Sequence, residues 1–189
     1  MDQEILYRTG TIYRDVVDEE SRTIELSFSS DTPVERVFGN EVLEHKEDSV
    51  DLERLNNSAP LLLEHDRGQQ IGVVERAWVD TEDQKGRAVV RFSKSTLGQE
   101  IFQDVRDGIR QLVSVGYSVA RFVTEKADEG LDTFRAVSWQ PLEISLVSVP
   151  ADASVGVGRS TEESPAPSTK EEIVEEKQEP QVREESEVV

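Results

Sequence analysis

Three short stretches hold side chains that together are equipped for acyl transfer. "LLLEHDRGQQIG" (61–72) ends an apolar run on His65 beside Asp66, "LVSVGYSV" (112–119) carries Ser114 and Ser118, and "PLEISLVSVPADA" (141–153) carries Glu143. A serine hydroxyl needs a base to become nucleophilic near neutral pH. An imidazole serves best when a carboxylate fixes its tautomer and steadies the imidazolium. Serine, histidine and glutamate would fill those three roles.

Each stretch also has an ordinary reading. Taken as a strand, 112–119 puts Leu112, Ser114, Gly116 and Ser118 on one face and Val113, Val115, Tyr117 and Val119 on the other. The small, hydroxylated face suits close packing of another backbone, the commoner use of Gly and Ser in a strand. It equally suits the floor of a site, with Gly116 leaving room for a substrate chain and Ser114 or Ser118 as nucleophile. In 141–153, Leu142, Ile144 and Leu146 alternate with Glu143, Ser145 and Val147, so Glu143 points away from the apolar face, where a solvated glutamate is the default. A lone histidine is most often a partly buried residue bonded to backbone. Ser145 and Ser148 are further nucleophile candidates. Asp66 rivals Glu143 as the partner of the imidazole, but adjacent residues of an extended segment point to opposite sides. His45, in "EVLEHKEDSV", reads as structural, at a charged helix end or loop.

Composition removes several alternatives. With no cysteine, disulfides, thiolate nucleophiles and Cys-type zinc sites are excluded, and two histidines are few for a metal-dependent hydrolase built on the His-Asp pair. The expectation is therefore no metal and no cofactor. A formal charge of -19 disfavours direct nucleic-acid or anionic-lipid binding. No run approaches the roughly 20 apolar residues of a membrane span, and "MDQEILYRTG" lacks a secretory pattern, which reads as cytoplasmic.

Short β-rich runs bounded by turn signals fill most of the chain, among them "RTIELSFS", "IGVVERAWVD", "GRAVVRFS" and "TFRAVSWQ". They predict a mostly β, α+β fold: a closed or partly open barrel with a few packed helices. The clearest helix is "STLGQEIFQDVRDGIRQL", with Thr96 and Gln99 as a capping box and Leu97, Ile101, Phe102, Val105 and Ile109 on one face. Weaker helices are expected around "TPVERVFGNEVLEH" and "SVDLERLNN". The folded domain is expected over 1–158. Residues 159–189, with ten acids, four bases and no aromatic residue, read as an acidic tail that is disordered or weakly helical.

The three stretches, in order, resemble the prohead proteases of tailed bacteriophages, the capsid-maturation serine proteases. The resemblance rests on "LLLEHDRGQQIGVV", "GIRQLVSVGYSV" and "LEISLVSVPADASV" and covers roughly residues 5 to 155. It implies that His65 and Ser114 are the catalytic pair, with Glu143 matched as third member. It also implies a fold distantly similar to the herpesvirus assemblins, a β-barrel wrapped by helices. The activity implied is endopeptidase cleavage of scaffold, of the scaffolding segment of the capsid protein, or both, and often of the protease itself. Partners would be the capsid or scaffold protein as substrate, with oligomers possible and no membrane. The place would be the host cytoplasm, inside the prohead. The rival is a noncatalytic capsid-assembly scaffold or chaperone that keeps the protease fold.

Overall fold

The computed structural model describes residues 5–149. The acidic segment expected from residue 159 lies outside them. Strands dominate because β-branched and aromatic residues alternate with polar ones over long runs, the pattern of a sheet with one dry face. They are β1 (Leu6–Asp18), β2 (Thr23–Ser30), β3 (Val34–Arg36), β4 (Gly39–Leu43), β5 (Pro60–Leu63), β6 (Asp66–Asp80), β7 (Lys85–Phe92), β8 (Leu112–Glu125) and β9 (Thr133–Val147). The helices are α1 (Glu53–Asn56) and α2 (Thr96–Arg106).

The sheet runs β3-β4-β9-β5-β6-β7-β2-β1-β8, and β8 pairs back onto β9. Seven strands, β9, β5, β6, β7, β2, β1 and β8, therefore form a closed ring of pairings, the barrel that the alternation predicted. Long β9 makes closure possible. One edge is covered by β8 from Leu112↔Val147 to Glu125↔Thr133. The other edge takes two parallel partners, β4 at Thr133–Ala136 and β5 at Ile144–Leu146. Ile24, Leu26, Phe28, Leu61, Val90, Val115, Ile144 and Leu146 form part of a wholly buried interior. Each such side chain contributes about 1.5–3 kcal/mol of burial.

Helix α2 carries Ile101, Phe102 and Val105 on its buried face as expected. Its cap differs from the expected box. The side chain of Ser95, not Thr96, accepts from the Gly98 N–H at 3.2 Å, while the Gln99 side chain donates to the Lys94 carbonyl. Ile109 does not belong to the stripe: the helix stops at Arg106, Gly108 takes a positive φ of 73°, and Ile109 is exposed. The helix expected in "TPVERVFGNEVLEH" is instead the β3–β4 hairpin. Gly39 (φ 136°) makes its turn where a Cβ would lie 2.5 Å from the Asp132 carbonyl, and the Val and Phe content favours strand once β9 offers an edge. Short α1 matches the one turn expected in "SVDLERLNN".

Candidate active site

The position of His65 is set by a hairpin. Leu63 pairs with Asp66 across β5 and β6, leaving Glu64 and His65 as a two-residue turn with φ of 52° and 58°. Such turns favour Asn and Gly, and each non-glycine residue held there costs about 1 kcal/mol or more. Strand β9 holds the turn in place. The Glu64 N–H donates to the Leu146 carbonyl at 2.9 Å. The Glu64 carboxylate accepts from the Ser148 N–H at 2.7 Å and the Ser148 hydroxyl at 2.6 Å, and the His65 N–H donates to Ser145 Oγ at 3.2 Å. His65 is thus turned out by a strained loop rather than by strand alternation.

Glu143 owes its aim to a bulge. Gly116 pairs with Glu143 and Tyr117 with Pro141, so Leu142 is the extra residue on β9. The carboxylate meets His65 Nδ1 through Oε1 at 2.7 Å and accepts from the Ser145 hydroxyl through Oε2 at 2.7 Å. An ionised carboxylate only accepts, so Nδ1 carries the proton and Nε2 is left as the basic nitrogen. Gly116 serves this pair: a Cβ there would lie 2.6 Å from Glu143 Oε1 and 3.2 Å from the Tyr7 ring. The room it leaves is taken by the carboxylate and the Tyr7 ring, in keeping with the close-packing reading of the small face. The Tyr7 ring packs 4.2 Å from the imidazole, centroid to centroid.

Ser114 stands on the same face. It pairs with Ser145 on β9 and Thr9 on β1, while Val113, Val115 and Tyr117 enter the core. Directly paired residues share a face, so Ser114, Ser145, Gly116 and Glu143 all lie on the outer side of the barrel wall. Ser114 Oγ is buried and, among the described residues, has no hydrogen-bond partner, the imidazole included. The imidazole and the carboxylate are therefore in contact, while Ser114, paired across the ladder with Ser145, makes no hydrogen bond to the imidazole and is not among the residues that line the adjoining cleft. Contacts of this kind in unliganded enzymes often form only with substrate.

The other candidates are placed elsewhere. Asp66 is exposed and binds the Gly68 N–H and the Gln69 side chain, with Gln69 foremost in holding its carboxyl below the usual range, so it does not touch the imidazole. Ser148 bonds to Glu64, and Ser118 pairs with Gln140 on the far side of the bulge. His45, read as structural, lies in the loop after β4 and is wholly buried, between Ser29 Oγ at 2.8 Å and the Leu43 carbonyl at 3.0 Å. Burial pushes its titration down to about 4. Beside the His65–Glu143 pair opens a cleft of about 460 Å³ whose lining includes Tyr7, Leu62, His65, Arg67, Leu142 and Glu143. Tyr7, Arg67 and the bonds of Ser145 were not anticipated. Alternation in "EILYRTG" was the one available hint that Tyr7 faces outward.

Comparison with known proteins identifies the fold and the family. Over 142 residues the chain is 51% identical to the major capsid protein of Halomonas phage phiHAP-1, a match covering 74% of this chain and 23% of that protein. The chain thus spans about a quarter of the length of that relative. Among solved structures, the bacteriophage T4 capsid assembly protease gp21 shares the fold, with a TM-score of 0.51 at 16% identity, over 78% of this chain and 99% of that one. The family model of the caudovirus prohead serine proteases matches residues 9–167, and the chain belongs to that family.

Proposed function

We propose that this chain is a serine endopeptidase of phage prohead maturation in which Ser114 is the nucleophile, His65 the general base and acid, and Glu143 the group that orients His65. The observation that carries the reading is the 2.7 Å His65–Glu143 bond on the wall that also holds Ser114, whose buried hydroxyl has no hydrogen-bond partner among the described residues. Ser114 Oγ attacks the scissile carbonyl as His65 Nε2 takes its proton. The tetrahedral intermediate collapses as that proton passes to the leaving amine. Water, activated by the same imidazole, then hydrolyses the acyl-enzyme and regenerates the serine. The negative charge on Glu143 stabilises the imidazolium of each half-reaction.

The substrates proposed are the capsid protein, the scaffold protein or both, and the chain's own flanking sequence. The relative whose length greatly exceeds this chain is a major capsid protein, which supports a protease region made joined to the protein it cuts. The folded domain is assigned to 1–158 and the acidic segment to 159–189, within a host cell and inside the prohead. Co-expression with the capsid protein tests the activity. The unaltered chain should trim it, with or without a strong chelator, and Ser114→Ala should stop trimming, a loss of at least about 10³-fold. Trimming at an unchanged rate by Ser114→Ala would leave the noncatalytic assembly module as the better reading.

A further inference from the structure

The Ser-His-Glu reading leaves one fully buried polar residue of the site without a role. Ser145 has no solvent exposure, yet it touches both partners of the pair. Its hydroxyl donates to Glu143 Oε2 at 2.7 Å and accepts the His65 N–H at 3.2 Å, and across the ladder its backbone partner is Ser114. A hydroxyl has one proton to give, and here it is spent on a carboxylate. Ser145 is therefore poorly placed to attack a peptide bond and well placed to hold the groups that would assist one.

The geometry points to Ser145 as a positioning residue that binds the Glu143 carboxylate and the His65 turn into one rigid unit beside Ser114. With Oε1 on the imidazole and Oε2 on Ser145, both oxygens are fixed and the carboxylate cannot rotate. With the His65 N–H anchored to the same hydroxyl, the positive-φ turn cannot drift from the carboxylate it must meet. A misplacement on the order of 1 Å at such a contact costs up to about 10²-fold in rate.

This inference rests on the proposed triad, and its test separates the two. In the full chain, Ser145→Ala, Glu143→Gln and the double variant are compared on a capsid-derived peptide. The downfield Nδ1–H resonance of His65 is followed by NMR, and His65→Gln identifies that signal against His45. Ser145→Ala should lower kcat about 10-fold or more, change KM less than about twofold, and shift or broaden the resonance. It should add almost nothing in the Glu143→Gln background, and Ser145→Thr should recover much of kcat. An unchanged kcat or an unchanged resonance overturns the proposal, as do losses that multiply in the double variant. Should Ser145→Ala fail to fold, Ser145→Cys, of similar size and a weak donor, carries the same comparison. The resonance does not need turnover. A chain that cleaves nothing but loses the signal in Ser145→Ala keeps the positioning role and loses the protease reading.

Discussion

Two carboxylates sit behind and in front of β8, and their surroundings are opposites. Glu41 is wholly buried with every demand met: Arg36 Nε donates at 2.8 Å, the Tyr117 hydroxyl lies 2.9 Å from both oxygens, and Arg8 Nη2 stands 3.8 Å away. Arg8 also donates to the carbonyls of Ser30, Thr32 and Glu41, tying β1 to its neighbours. Burial, with Glu41 next, pushes the Tyr117 phenol up to about 12, so it remains a donor throughout the working range. Glu143, reached from the adjacent residue Gly116, opens on a cleft and is bonded to the Nδ1 side of the His65 imidazole. Two residues before Gly116 on the same face of β8, the Ser114 hydroxyl has no hydrogen-bond partner among the described residues. A buried carboxylate whose acceptors are all engaged stabilises structure, even with Arg8 Nε left unpartnered among the described residues, whereas a carboxylate that opens on a cleft has capacity left for a substrate. The same strand offers both because alternate residues face opposite ways.

Substitutions should separate the two clusters cleanly. Glu143→Gln should lower kcat about 10³–10⁴-fold by losing the orienting charge, with the unfolding midpoint almost unmoved, as steady-state kinetics and denaturant titration would read. Glu41→Ala should do the reverse. It leaves the buried Arg8 without its counter-charge and the half-buried Arg36 without its carboxylate, and should cost about 3–5 kcal/mol in denaturant unfolding. Acid sharpens the contrast through His45, whose folded-state titration lies near 4 against an ordinary 6.5, first by burial and also by Arg8, with the Leu43 carbonyl and Asp31 opposing. The unfolded chain then binds the extra proton, so stability should fall as pH drops from 6.5 to about 4, by about 3 kcal/mol. His45→Gln should remove that part of the slope. Smallest should be Gly116→Ala, whose Cβ meets Glu143 Oε1 and should cost about 10-fold in kcat while the barrel stays folded.

How much of this was legible in the sequence depended on the range of the forces involved. Strand alternation reports which face is dry, so the barrel, the face shared by Ser114 and Gly116, and the apolar stripe of α2 could be read from local pattern. The resemblance, not spacing, brought His65, Ser114 and Glu143 together. What local pattern could not show was anything settled by a distant partner. The β3–β4 hairpin looked helical because the edge of β9 that it joins lies some ninety residues later in the chain. His65 looked like a strand end because the tethers to Leu146, Ser145 and Ser148 that hold its turn at positive φ come from β9. Pro141 and Leu142 mark the bulge that aims Glu143, but a bulge is defined only against the register of β8. The structural role of His45 could be read from its charged loop, but its complete burial could not, because that depends on Ser29 and Trp139.

Labelling with a serine-directed phosphonate, followed by peptide mapping, tests the central claim most directly, since it reports which hydroxyl the imidazole activates. Ser114 should be labelled in the unaltered chain, and labelling should be lost in both His65→Ala and Ser114→Ala. Modification of Ser118, Ser145 or Ser148 in its place, or labelling of Ser114 that proceeds equally well without His65, would contradict it.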